Sequence, residues 1–378
     1  MPHICFVSSC FGRNDSLIVY RQGRSLAMKG FKVTYILCDG LPDEEKFGIH
    51  IHSVGIKQKK LTDRIRKNYN NLKAYLKSFD ADIYQISEPE LLPLGLYLKR
   101  RGKMVMFNLR EYYPDYYSRK NTIPQWAKKF AYRTIEWFFR YCMKRYDALF
   151  NCLPELSDYI KKRMPCRYFV DVANFPLVNH DFKLTLEDYL KRDEIINYFG
   201  SIYSISCQEE MLQAITEFPN VKYLLAGVFY GDSYKQKVMS LAGWSQVEFI
   251  NGFDRKELSS IINRSVIGNV LRDFKKTESP DGSLSVIKIY ETMEAAVPII
   301  IPRVRIYEEM VNKWHCGLCV DPHNVEEIKN AIRYLLENKE EAWKMGQNGR
   351  KAVIEEYSWD SQFKSYLEVV VKLLGEDK

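Results

Sequence analysis

No run of this sequence approaches the ~20 apolar residues a helix needs to cross a bilayer. Its first residues, MPHICFVSS, also lack a basic segment followed by a cleavable apolar one. A cytoplasmic location is the expectation. There is no low-complexity tract, and 46% apolar with 28% charged residues is a globular composition. A disulfide framework is argued against by nine scattered cysteines, an odd number that fits reduced thiols. The one C-x-x-C, Cys316 and Cys319, lies in HCGLCVD, which reads as a glycine turn entering a buried strand, and no second cysteine pair completes a metal site. The six histidines show no metal-ligand spacing, so no metal is expected.

What the sequence does have is length and positive charge. At 378 residues it exceeds one ordinary core and fits two domains. The net charge of +8 is uneven. Residues 57–77 are strongly basic, and 126–145 (WAKKFAYRTIEWFFRYCMKR) interleave bases with Trp, Phe and Tyr. Such helices suit an anionic lipid surface, aromatics at headgroup level and bases on phosphates, or else a packed aromatic face with a solvated basic one. No recognised nucleic-acid-binding module carries the charge, so nucleic acid is not an expected partner.

Apolar strands alternate with amphipathic helices throughout. In the first half HICFVSS, KVTYILC, IHIHSVGI, DIYQIS, MVMFNLR and ALFNCL read as strands, with helices opening at Pro89 and Pro154. After the linker 172–193 the cycle repeats with INYFG, KYLLAGV, VEFING, VIGNVLR, PIII and CGLCVD, and three helices close the chain. The fold class expected is α/β, two doubly wound parallel-sheet domains facing across a cleft. Their expected bounds are 1–175 and 176–357. Ligands of such sheets bind beyond the carboxyl ends of the strands.

The stretch 281–302 (DGSLSVIKIYETMEAAVPIIIP) joins a polar loop, a helix over 284–296 and a buried strand, with Pro298 ending the helix. Lys288 and Glu291 stand three apart on one side of that helix, suiting a phosphorylated ligand with sugar hydroxyls, or forming a surface ion pair.

The segments NVEEIKNAIRYLLENKEEAWKMGQNGRKAVIEEYSWDSQ, KIYETMEAAVPIII, SEPELLPLG, NLREYYPDYY and VANFP together resemble the group-1 (family 4-like) retaining glycosyltransferases of the GT-B fold. The resemblance implies transfer of a sugar from a nucleoside-diphosphate sugar (UDP- or GDP-linked), with no permanently bound cofactor and no protein-bound metal. It implies a saccharide acceptor, and the basic first domain adds the expectation of a lipid-linked one at the inner face of the membrane. Carried over by position, Glu291 would bind the ribose hydroxyls and Lys288 would face the diphosphate. Gly200 with Ser201 in the loop GSIYS, and Gly12 in SSCFGRND, would approach phosphate, and Gly252 and Phe253 would lie near the base. Arg110 and Glu111 would face the reacting groups from the first domain. The resemblance in the Tyr357-Ser358-Trp359 element implies that the helix 358–378 crosses back to join the first domain.

Several positions depart from the family pattern. Ser206 and Cys207 stand where a cation and often a glycine are usual, Ala296 replaces a turn glycine, and Leu284 and Val286 replace a glutamate and a proline. Gln85, Ser87 and Glu88 replace two histidines and an aspartate, and Arg110 replaces a histidine. Two readings follow: an active transferase in which Arg272, Lys275 or Lys276 supplies the missing cation and Asp281 a carboxylate, or a catalytically degenerate partner of another transferase. Glu88 and Glu90 are expected as helix caps. The tyrosines 112, 113, 116 and 117 are expected either to stack on acceptor sugars or to pack between the domains.

Overall fold

The computed structural model describes all residues except 59, 119–122, 254–256, 277–278 and 376–378. The chain divides into two compact units, Met1–Asn174 with Trp359–Lys378, and Phe175–Ser358.

In the first unit the strands are β1 (His3–Val7), β2 (Lys32–Leu37), β3 (Glu44–Lys46), β4 (Ile49–Ser53), β5 (Ile83–Ile86), β6 (Met104–Leu109), β7 (Ala148–Asn151) and β8 (Tyr168–Asp171). They lie in the order β3-β4-β2-β1-β5-β6-β7-β8, parallel apart from the edge strand β3. Residues such as Val7, Ile86 and Phe107 meet the helices in one continuous buried core. The last helix, Trp359–Gly375, belongs to this unit. Its Trp359 donates to Ser25 Oγ at 2.9 Å, and its Tyr366 hydroxyl to Gln85 Oε1 at 2.7 Å. Gln85 therefore serves the packing of that helix.

The second unit holds β9 (Ile195–Ile202), β10 (Lys222–Phe229), β11 (Val247–Asn251), β12 (Ile267–Asn269), β13 (Ile299–Pro302) and β14 (Gly317–Val320), in the all-parallel order β11-β10-β9-β12-β13-β14. Successive residues of β9 feed opposite cores: Ile196 and Tyr198 pack on one face of the sheet, Ile195 and Phe199 on the other. This double coverage is why its strands read as apolar runs without alternation. Ile299, Ile300 and Ile301 are fully buried, as their β-branched run requires.

Four local expectations are corrected. The helix of the 281–302 stretch spans only Ile287–Glu294. At its start Ser283 Oγ accepts from the Ser285 amide, a serine turn that competes with helix. Its end is set by Ala296, which takes the left-handed conformation (φ 55°), before Pro298 is reached. A residue with a Cβ pays for that conformation, which accounts for glycine being usual there. Two short strands, β3 and β8, carry no clear alternation in the sequence and add to the first sheet. Glu88 makes no side-chain cap on the turn that follows it.

Candidate functional site

The carboxyl ends of β9 and β12 and the start of the helix Ile287–Glu294 form one constellation in the second unit. Gly200 ends the straight part of β9 with φ 112°, and its partner across the ladder is Gly227. A Cβ on Gly227 would stand 1.8 Å from the Gly200 carbonyl oxygen, so the two backbones touch in a way only glycine permits. On the open side of Gly200, a Cβ would meet only Lys288, whose Cε and Nζ lie 3.8 Å away. The structure thus brings Gly200 and Lys288 together.

Lys288 is not half of a surface ion pair. Its ammonium sits 3.7 Å from the centre of the Tyr198 ring, a cation–π contact inside the fold. Burial lowers its pKa, Tyr198 opposes that, and the nearby charge of Arg272 lowers it further. Arg272 follows β12, stacks 5.7 Å over Phe274, and has a buried Nε with no hydrogen-bond partner. Among the described residues neither cation makes a carboxylate salt bridge, although both lie within electrostatic reach of each other. Two cations this close, with no carboxylate salt bridge to either among the described residues, can attract an anion. Val286 begins the helix without a side-chain cap, and the Ile287 and Ile289 amides donate to the Ser285 and Val286 carbonyls at 3.0 and 3.1 Å. Glu291, one turn after Lys288, is buried at 8% exposure, and its charge also acts on Lys288.

The other second-unit candidates sit around this centre. Ser201 is exposed, and its carbonyl accepts from the Tyr198 hydroxyl at 2.8 Å. Gly252 (φ 76°) donates its amide to the Gly227 carbonyl at 3.0 Å, and Phe253 packs edge-on against Phe199 at 6.4 Å. The Ser206 hydroxyl bonds the Tyr198 hydroxyl and accepts from the Tyr203 amide, both at 3.0 Å, so this position carries hydrogen bonds where the family pattern has a cation. Cys207 is left-handed (φ 49°), explaining why glycine is usual there. Lys275 is exposed, and the Lys276 side chain lies outside the described residues. Asp281 is exposed, 3.8 Å from Arg305.

A separate polar cluster occupies the strand ends of the first unit. Arg110, directly after β6, forms a two-pronged bridge to Asp15 with both distances 2.8 Å, and its guanidinium lies 3.8 Å over Phe11. Burial pushes the Asp15 pKa up, but the Arg110 charge and hydrogen bonds outweigh it and hold the carboxyl below its ordinary value. The fork of Arg110 is therefore taken by Asp15, and its direct role is to brace the loop holding Gly12. Gly12 itself has open space where a Cβ would stand, and its carbonyl accepts from the Asp15 amide. Glu111 is exposed at the surface.

Sequence reasoning missed what Glu88 does. It is 2% exposed and accepts from the Ser8 hydroxyl and from the amides of Ser9 and Cys10 at 2.9 and 3.1 Å. Burial raises its pKa, the Ser8 bond opposes, and the charge of Glu90 adds to the rise. Glu90 accepts from Ser9 Oγ at 2.7 Å and pairs with Arg64 at 3.1 Å. The two carboxylates thus hold the loop after β1 rather than cap a helix. The tyrosine expectation is likewise corrected in part. Tyr112 donates to Glu136 at 2.7 Å and Tyr113 to the Ser87 carbonyl at 2.9 Å, so both pack within the first unit, while Tyr116 remains exposed.

Residues 188–352 match the family described as glycosyl transferases group 1. No curated protein matches the chain. Among solved structures, sucrose-phosphate synthase from Thermosynechococcus elongatus superposes with a TM-score of 0.73 at 15% identity, covering 100% of each chain. HepE from Anabaena in complex with UDP and glucose gives 0.72 at 12% identity, over 98% of this chain and 100% of that one. WaaG, a glycosyltransferase involved in lipopolysaccharide biosynthesis, gives 0.67 at 14% identity over 96% and 98%. Two parallel-sheet units with a returning C-terminal helix are the architecture of these proteins. The chain has the GT-B fold, and residues 188–352 of its second unit match the group 1 glycosyl transferases.

Proposed function

We propose that this protein moves a sugar, with retention of configuration, from a nucleoside-diphosphate sugar to a saccharide acceptor. The observation carrying the proposal is the convergence of Lys288, Gly200 and Arg272 with its unpartnered buried Nε. As the bond from the sugar to the diphosphate breaks, negative charge grows on the leaving oxygens. Lys288 and Arg272 would stabilise that charge. Glu291 would accept hydrogen bonds from the ribose hydroxyls, with Gly252 and Phe253 beside the base. The acceptor hydroxyl attacks from the side of the leaving group and passes its proton to the departing diphosphate, so no protein-bound metal is called on. HepE has been seen with UDP-glucose, which makes a UDP-sugar the first donor to try, with GDP-sugars second.

The acceptor side of the proposal is a lipid-linked saccharide reached at the inner membrane face, as in assembly of a surface polysaccharide. Supporting it, the helix Gln125–Met143 exposes Trp126, Phe130 and Trp137 (85%, 74% and 63%) on one stripe. Lys129, Arg133 and Arg140 are exposed on the same side. Aromatics and bases together on a solvent face suit an anionic lipid surface better than water alone. Flotation with anionic liposomes at low salt is expected to carry the protein, and failure to float removes this part. No helix among the described residues is long and apolar enough to cross a membrane.

One observation favours a second reading, a degenerate partner of another transferase: the Ser206 position offers no charge. A thermal-shift panel of nucleoside diphosphates separates the two. Stabilisation by one diphosphate, followed by slow hydrolysis of its sugar conjugate, supports the transferase. No shift with any nucleotide overturns it.

A further inference from the structure

Away from the cations of Lys288 and Arg272, the second unit gathers a thiol, an imidazole and two carboxylates from three separate places in the chain. Cys207 immediately precedes the helix Gln208–Ile215, and Glu210 lies in that helix's first turn. Asp273 follows β12 one residue after Arg272, and His323 lies in the turn after β14. One ligand atom from each of Cys207, Glu210 and His323 falls within 4.8 Å of the other two. His323 Nδ1 is 2.6 Å from Glu210 Oε1, and its Nε2 is 3.1 Å from Asp273 Oδ2. Cys207 is 1% exposed at the floor of the group, while the His323 side chain is 42% exposed and leaves a way in from solvent.

We propose that Cys207, Glu210 and His323 bind a divalent transition-metal ion, zinc by the chemistry of the donors, with Asp273 orienting the imidazole. A histidine between two carboxylates could be a plain ion pair, but an ion pair needs no sulfur. Here the third group gathered with the imidazole and Glu210 is a thiol, a soft donor that selects zinc over magnesium or calcium. The division of the imidazole also fits. A metal on Nδ1 leaves the proton on Nε2, where Asp273 accepts it, the carboxylate–histidine–metal relay that fixes a ligand's tautomer and direction. On binding, the Cys207 thiol gives its proton to solvent, and sulfur, nitrogen and carboxylate oxygen supply three ligands with a fourth position for water. The ion would fasten the turn after β14 to the first turn of the helix after β9, with Asp273 tying in the segment carrying Arg272 through His323. This stands independently of the transfer chemistry proposed above.

The test uses the full chain, stripped with chelator and reloaded with zinc chloride, with bound metal counted by mass spectrometry, and separately titrated with cobalt(II). One zinc per chain and a thiolate-to-cobalt charge-transfer band in the near ultraviolet are expected. The band should vanish in Cys207→Ser, and zinc affinity should fall about 10–100-fold in Asp273→Asn, the scale of losing a ligand's outer partner. Glu210→Gln, at a half-exposed position, gives a second variant should the cysteine variant fold poorly, and it should weaken zinc binding in the same direction. The first unit offers a competing, more exposed set, Asp43, His50 and His52. Absence of bound zinc overturns the proposal. So does zinc that persists in Cys207→Ser and Glu210→Gln but is lost in His50→Gln.

Discussion

The two units present polar clusters at corresponding strand ends, and the clusters differ in how their charges are closed. In the first unit Arg110 is bridged by Asp15, Arg64 by Glu90, and Glu88 by backbone amides. In the second, Lys288 rests on the Tyr198 ring and Arg272 over Phe274, and among the described residues neither makes a carboxylate salt bridge. A cluster closed on itself spends its charges on holding a loop. A cluster left net positive has its charges available to a ligand. The comparison assigns scaffolding to the first cluster and diphosphate binding to the second, and it can be broken from either side.

The largest effect is expected in the first unit. Asp15→Ala leaves the buried Arg110 guanidinium uncompensated and should cost about 3–5 kcal/mol in denaturant unfolding. Asp15 titrates below its ordinary 3.8 in the folded protein, so its contribution is fully present above that pH and is lost as pH falls through the depressed folded value. The variant should therefore show a flatter acid limb than the parent. An unchanged midpoint would mean the bridge is not structural.

Next in size are losses of ligand affinity with stability largely kept. Lys288→Ala and Glu291→Ala should each weaken nucleoside-diphosphate binding by about 1–3 kcal/mol, the scale of a charged hydrogen bond. Lys288→Ala should affect the diphosphate and not the nucleoside, whereas Glu291→Ala should weaken both, since both carry the ribose. Equal losses for both ligands in both variants would dissolve the assignment of phosphate to one residue and ribose to the other.

A subtler consequence concerns pH. Burial, partly offset by Tyr198 and reinforced by Arg272, holds the Lys288 ammonium below the ordinary 10.5. An anion needs the charged form, so diphosphate affinity should be full below the depressed pKa and decline as pH rises through it, before 10.5 is reached. Lys288→Arg should remove that decline, and a decline unaltered in the arginine variant would place its origin elsewhere. The smallest effect is assigned to Lys275→Ala, which removes an exposed cation close in sequence to Arg272 and should leave nucleotide affinity unchanged within error.

Much of this was legible in the sequence for a physical reason. A strand buried on both faces must be apolar throughout, so PIII and KYLLAGV announce themselves, and the three-residue spacing of Lys288 and Glu291 locates a helix turn. Arg272 could be named as a replacement cation because it ends an apolar strand. Its nearness to Lys288 could not, since that depends on β9 and β12 being neighbours, which no local pattern encodes. The Arg110–Asp15 bridge spans 95 residues and Glu88's hold on Ser9 spans 79, so neither leaves a trace in spacing. The helix after Val286 is shorter than its period suggests because the Ser283 side chain bonds the Ser285 amide ahead of it, a turn that no periodicity encodes.

The account rests most directly on Arg272 replacing the cation absent at Ser206. Calorimetric titration of UDP, GDP and the matching nucleosides into the wild-type chain and Arg272→Ala tests it. The prediction is that the diphosphate that binds loses about tenfold or more in affinity, roughly 1.4 kcal/mol, while its nucleoside is unaffected. Diphosphate binding equally tight in both proteins would contradict it.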